Sequence, residues 1–118
     1  MKLRYEKCMH VMTDIMGYCH FVGCKDFSVD FVMRETESEI IIRAKMSGVS
    51  DETVETLTNV LNIPRQREVE QYYWNISGEE EIDDELSLAG MMIDKAVVNI
   101  EDGMLVIRVL RCETSSEE

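Results

Sequence analysis

The residues in this chain that could do chemistry begin with two histidines, His10 and His20. They fall ten residues apart on one predicted helix, about 15 Å along its axis, so they cannot share a metal ion. Neither histidine has a Cys or Ser partner within a recognisable catalytic signature, which leaves a nucleophilic dyad without support. The sequence therefore predicts ordinary exposed histidines and no catalytic residue.

The four cysteines could serve as nucleophiles, metal ligands or disulfide partners. They are Cys8, Cys19, Cys24 and Cys112, and they form neither a C-x-x-C pair nor the spacing of a zinc site. Cys8 and Cys19 fall among the apolar positions of the first predicted helix, where cysteine behaves as a small hydrophobic residue. We predict reduced thiols and no metal site.

A run of carboxylates at 79–84 (EEEIDD) could supply oxygen ligands to a divalent cation. The run lacks the ligand spacing of a calcium-binding loop. A run of like charges is typical of a solvated loop. We therefore predict an acidic loop here.

Three consecutive aromatic residues, Tyr72, Tyr73 and Trp74, lie on a short predicted helix. Side chains at consecutive helical positions cannot all face the same core, and exposed aromatic side chains often anchor interfaces. We predict that they are interface candidates. The alternative places Tyr73 or Trp74 in the core and the others at its edge.

Composition and charge exclude several classes of partner. The chain has 118 residues, a length typical of one domain, and its 12 basic and 24 acidic side chains give a net charge of −12. Such a surface repels nucleic-acid phosphates and anionic lipids. No segment has the ~18 apolar residues of a membrane span, and the N-terminus does not resemble a signal peptide. We expect a cytoplasmic protein that binds neither nucleic acid nor membrane.

The elements that must position these residues follow from hydrophobic periodicity. Apolar residues recur at spacings of three and four from Cys8 to Val22, which predicts a helix over 5–22 that Gly23 ends. The further predicted elements are strands 26–33 and 39–46, helices 51–63 (capped by Ser50), 66–76 and 85–93, and strands 96–100 and 104–110 around the Asp102-Gly103 turn.

This order, α-β-β-α-α-α-β-β, predicts an α+β fold. We expect a two-layer α/β sandwich with a mixed sheet of about four strands and helices on one face, and an antiparallel sheet is the alternative. Residues 1–111 would form one domain, and 112–118 an acidic, disordered tail. An apolar sheet face without helices would need a partner or a second subunit.

The same order resembles the histidine-kinase-like ATPase (GHKL) superfamily, which includes sensor-kinase catalytic domains and anti-sigma-factor kinases. The resemblance spans residues 8–111 and rests on the segments GCKDFSVDFV, IIRAKMSGVSDETVETL and IDDELSLAGMMID. It implies a nucleotide site that would contain Asp14 and Tyr18 at the family's Glu and Asn positions on the first helix. Ala44 stands where the family's Asp contacts adenine, Gly48 is the surviving glycine after it, and Ser87 occupies a glycine position of the lid.

Several of these positions have lost the chemistry that ATP needs. Ala44 has no acceptor for the adenine amino group, and Tyr18 cannot replace an amide oxygen as a magnesium ligand without becoming a phenolate. Met46 adds bulk where the backbone should approach the ligand, and Glu85 would repel a triphosphate at the helix start. Asp14 is expected to be a solvated carboxylate, although an Asp there could orient water as a base.

We therefore predict a non-catalytic regulatory or protein-interaction domain on a degenerate ATPase-like scaffold. Its partner would be another protein or a second copy of the chain, bound through the aromatic helix or the uncovered sheet face, and no cofactor is expected. The alternative is an ATP-binding protein kinase or ATPase with a divergent site around Asp14, Gly48 and the acidic loop. ATP and magnesium would be its cofactors.

Overall fold

The computed structural model describes residues 2–46, 50–66 and 85–113. Its elements, in chain order, are α1 (Lys2–Phe21), β1 (Lys25–Met33), β2 (Glu37–Lys45), α2 (Asp51–Leu61), α3 (Glu85–Gly90), β3 (Lys95–Glu101) and β4 (Met104–Cys112). The predicted α+β class is confirmed. The helix predicted at 66–76 lies, apart from Gln66, outside the described residues, as does the acidic loop up to residue 84.

The four strands form one open sheet in the order β1-β2-β4-β3. Every neighbouring pair is antiparallel, so the predicted mixed sheet is wrong and the antiparallel alternative is correct. Short turns join β1 to β2 and β3 to β4, and short turns can join only antiparallel strands. Asp102 and Gly103 both have positive φ (54° and 78°), as a two-residue hairpin turn requires.

Helix α1 buries the apolar stripe that its sequence spacing predicts. Cys8, Val11, Ile15 and Cys19 are fully buried. The helix ends in a Schellman motif, in which Gly23 N donates to His20 O at 3.1 Å and Cys24 N donates to Cys19 O at 2.9 Å. Gly23 has φ = 106°, a left-handed conformation that glycine adopts without steric cost.

The core lies between the helices and one face of the sheet. Strands β2 and β4 supply alternate residues to it, among them Ile40, Ile42, Leu105 and Ile107. Helix α2 begins where predicted, because Ser50 Oγ accepts a hydrogen bond from Thr53 N at 3.2 Å. Its buried residues are Leu57 and Leu61.

The short helix α3 packs against both α1 and α2. Gly90 allows the close approach, since a Cβ atom added there would lie 2.3 Å from Val60 O of α2. The helix ends at Gly90, earlier than the predicted end at residue 93, although Met92 and Ile93 beyond it are buried. Within the described ranges, no helix is both long and apolar enough to cross a membrane.

Strand β4 extends past the predicted end of the domain. Cys112 is its last residue, and the following residue, Glu113, is buried. The expectation of a disordered tail from residue 112 is therefore wrong for these two residues. The physical reason is a buried ion pair between Glu113 and Arg111, which holds the chain against the sheet.

Candidate functional site

The predicted nucleotide positions are distributed over three elements. Asp14 and Tyr18 lie one turn apart on α1, Ala44 is near the end of β2, and Ser87 belongs to α3, which packs against α1. Gly48 lies outside the described residues. So do the three interface candidates, Tyr72, Tyr73 and Trp74.

Asp14 is a buried carboxylate, so the expectation that it is solvated is wrong. Its side chain is 4% exposed, and its Oδ2 atom lies 3.3 Å from Nδ1 of His10, one turn earlier on the helix. The His10 side chain is 27% exposed, so the prediction of an exposed histidine is also wrong here, whereas His20 is exposed. The i,i+4 spacing brings the carboxylate and imidazole together on one flank of the buried stripe.

A groove of about 270 Å³ runs beside this pair on α1. Its lining residues are Glu6, Met9, His10, Thr13 and Asp14. A carboxylate next to an imidazole is an arrangement that can hold or transfer a proton. Tyr18, Ala44 and Ser87 are not among the lining residues, so this groove does not unite the predicted nucleotide positions.

Tyr18 lies close to the start of α2. Burial raises the pKa of its phenol, and the nearby Cys19, Glu52 and Cys24 raise it further, in that order. The phenol therefore stays protonated at neutral pH. A protonated phenol is a poor ligand for magnesium, in agreement with the argument made from the sequence.

Ala44 faces the core and is 1% exposed. It pairs with Leu105 of β4, and its methyl group belongs to the same buried cluster as Ile42 and Leu105. The position that contacts adenine in the resembled family is thus filled with packed apolar groups and has no side-chain acceptor. An adenine amino group buried there without an acceptor would weaken nucleotide binding by about 1–3 kcal/mol.

A second polar cluster at the other end of α1 was missed by sequence reasoning. Arg4 donates from Nε to Ser38 Oγ at 3.0 Å and from Nη2 to Glu37 O at 2.8 Å and to Arg34 O. Its Nε atom also lies 3.6 Å from Oε2 of Glu113. This guanidinium therefore ties the first turn of α1 to the β1–β2 turn and to the end of β4.

The remaining member of this cluster is Arg111, which is almost completely buried. It donates to Glu113 from Nε at 3.1 Å and from Nη2 at 3.2 Å, a two-point charge-assisted contact. The alternation along β4 predicts the burial of this side chain, because Arg111 shares the covered face of the strand with Leu105, Ile107 and Val109. Because the side chains are buried, the cluster serves packing and is closed to a substrate.

The sheet face opposite the helices presents apolar side chains at alternating positions. We call this the open face, and its apolar members are Val32, Ile41, Val97 and Leu110, together with Val106, which is only 3% exposed. Val32 is 43% and Val97 38% exposed. Charged side chains stand between them, including Asp30 and Arg43, whose ion pair measures 2.9 Å. In the described part of the chain, the helices pack on the other face.

In the described ranges, no group of three or more His, Cys, Asp or Glu side chains could hold a metal ion. In comparisons with known proteins, no family model matches the chain and no curated protein is found to be similar.

Proposed function

We propose that this chain is a non-catalytic protein-interaction domain, of a regulatory kind, on a degenerate histidine-kinase-like scaffold. The observation that carries the proposal is the open face, with Val32 and Val97 exposed on a strand surface that the described helices leave uncovered. Apolar surface gains about 25 cal/mol for each Å² removed from water. A face of this kind is stabilised by covering it with another protein.

The helix-strand-strand-helix order and the packing of the described helices on one face of the sheet support a two-layer scaffold, whereas the antiparallel sheet departs from the mixed sheet predicted from the sequence. The packed apolar surroundings of Ala44 support the loss of nucleotide binding. We place the role in the cytoplasm, because all four cysteines are free thiols, as a reducing compartment would keep them.

The charged residues of the open face would give the interaction its specificity. Asp30 and Arg43 form an ion pair with each other. Arg108 of β4 lies between its two pairing partners, Ile41 of β2 and Val97 of β3. A partner must therefore match apolar and charged groups in alternation, and mismatched charges would be desolvated at a cost. Either a different protein or a second copy of this chain can meet that demand.

The test uses two substitutions on the same edge strand. Val97→Lys puts a charge on the open face, whereas Ile100→Lys changes a similarly exposed apolar residue (43% against 38%) that points to the opposite side of β3. Light scattering after size exclusion measures self-association, and affinity capture from the native cytoplasm measures binding of other proteins. We expect Val97→Lys to remove the dimer or the captured partner, and Ile100→Lys to keep it.

If the wild-type chain is a monomer and captures the same proteins as Val97→Lys, the open face is not an interaction surface. Equal losses in both variants would also refute the proposal, since they would show a general effect of charge on β3. Melting temperatures of the two variants provide the check that each one is folded.

A second candidate, an ATP-binding kinase or ATPase, is favoured by one observation. The buried Asp14 lies beside His10 at a groove, and a carboxylate so placed could act as a base. Thermal shift with ATP and magnesium separates the two functions, because a ligand at a hundred times its Kd adds about 2.7 kcal/mol to the folded state. A clear rise in melting temperature that Asp14→Asn abolishes would favour the enzyme over the interaction domain.

A further inference from the structure

Three sulfur atoms meet where α1 ends. In the Schellman motif, the residue two positions beyond the last helical turn folds back onto the helix, and that contact is usually apolar. Here the two contacting residues are Cys19 and Cys24, which the hydrogen bond from Cys24 N to Cys19 O holds together at 2.9 Å. The side chains of Cys19 and Cys24 are therefore neighbours.

The third sulfur comes from the end of β2. Pairing of Lys25 with Lys45 aligns the start of β1 with the end of β2, which brings the residues just outside the ladder, Cys24 and Met46, together. The Cys24 thiol donates to Sδ of Met46 at 3.6 Å. Cys19, Cys24 and Met46 thus form a continuous row of two thiols and one thioether, which we call the sulfur cluster.

We propose that the sulfur cluster is a binding site for Cu(I). Thiolate and thioether sulfurs are the soft donors that select this ion. Three donors complete a trigonal Cu(I) site, whereas a structural zinc site requires four ligands and hard cations prefer oxygen. On binding, Cu(I) displaces one proton from each thiol, Met46 donates a sulfur lone pair, and the copper keeps its oxidation state.

The three side chains of the sulfur cluster differ in their exposure to solvent. Cys19 and Cys24 are buried, while Met46 is partly exposed. Thiol ligands must lose their protons to bind a metal ion, so copper binding releases protons and the affinity rises with pH.

The other two cysteines are placed where they cannot contribute. Cys8 lies eleven residues earlier on α1, about 16 Å away along the axis, with its sulfur 3.9 Å from Glu113 Oε2. Cys112 is exposed at the end of β4, where it pairs with Glu37 at the start of β2, whereas Met46 follows the opposite end of β2. The Cys112→Ser variant is thus a background in which an exposed thiol cannot capture the ion.

The experiment titrates the full chain, carrying Cys112→Ser, with Cu(I) under anaerobic conditions against a chromophoric Cu(I) chelator. We expect one ion per chain and an affinity that rises about a hundredfold per pH unit between about pH 6 and 8, after correction for the chelator, because two protons leave. Cys24→Ala should abolish binding at this site. Met46→Leu, which conserves volume, should weaken it about tenfold.

Matched controls keep the result interpretable. Met92→Leu changes a buried methionine elsewhere in the core, and Cys8→Ala removes a buried thiol at the other end of α1; both should bind Cu(I) as the background does. The proposal fails if Met46→Leu and Met92→Leu bind equally well. It also fails if Cys8→Ala weakens binding as much as Cys24→Ala, if one proton or none is released, or if Zn(II) displaces Cu(I) at equal concentration.

Discussion

Replacing Glu113 with glutamine would test the ordered end of the chain most directly. The Glu113 side chain is 1% exposed and accepts two hydrogen bonds from Arg111, while Arg4 Nε lies 3.6 Å from the same carboxylate. Glutamine keeps the shape and removes the negative charge. Its amide nitrogen would then face a guanidinium donor, so one hydrogen bond becomes a contact between two donors.

The magnitude follows from burial. Hydrogen bonds to charged groups contribute about 1.5–3 kcal/mol each, and removing one partner of a buried ion pair costs about 3–5 kcal/mol. We expect Glu113→Gln to lower the free energy of unfolding by about 3–5 kcal/mol. Since domains have total stabilities of about 5–15 kcal/mol, the loss would be a large fraction of the whole.

Equilibrium unfolding in urea, followed by circular dichroism, measures this change. Glu101→Gln is the matched control, because Glu101 is exposed at the end of β3 and the same substitution there should change stability by less than about 0.5 kcal/mol. A loss below about 1 kcal/mol for Glu113→Gln, with an unchanged denaturant slope, would refute the reasoning. It would mean that Glu113 is solvated and that the ordered domain ends at the predicted boundary.

Three further outcomes follow from local geometry. Gly90→Ala should destabilise the fold by about 1–3 kcal/mol, because the added Cβ would lie 2.3 Å from Val60 O. Gly17→Ala should instead stabilise helix α1 by about 0.5–1 kcal/mol, because no atom lies within 4 Å of the added Cβ. Urea unfolding should show these opposite signs. Asn62→Ala removes two hydrogen bonds, of 2.9 and 3.0 Å, between the Asn62 side chain and the backbone of Ala96 on the free edge of β3. We expect the free energy of unfolding to fall by about 1–3 kcal/mol, and the exposed edge to cause concentration-dependent association in light scattering. A stable monomer would contradict this prediction. Burial raises the pKa of Cys19 from 9.0 to about 12, so the stability that its protonated thiol contributes is present below pH 9 and is lost as the pH rises towards 12. The free energy of unfolding of Cys19→Ala should therefore fall less steeply with pH over this range than that of the wild type. Identical pH profiles for the two proteins would contradict this prediction.

Local patterns predicted the elements well because their physical causes are local. The three- and four-residue spacing of α1, the Ser50 cap and the Asp102-Gly103 turn each act within a few residues, and each is confirmed. Strand direction is a different matter, because the pairing of β2 with β4 joins residues 59 to 75 positions apart. The predicted mixed sheet was therefore wrong although both of its hairpins were right.

The candidate site shows the same division more sharply. The absence of an acceptor at Ala44 is a property of the residue type, and the fold adds that the position is packed shut. Asp14 reads from the sequence as a solvated helix-face carboxylate, yet it is buried beside His10. A polar residue next to an apolar stripe can be solvated or covered, and periodicity does not distinguish these outcomes.

Residue types and local spacing thus established the acidic charge, the α+β class, and the start and turn positions of most elements. The assembled fold established which carboxylates are buried, which face of the sheet stays open, and which sulfurs meet. The reason is that burial and contact depend on residues distant in the chain: Arg4 reaches Glu113, and Cys24 reaches Met46, through strand pairing and helix docking that no short window of sequence contains.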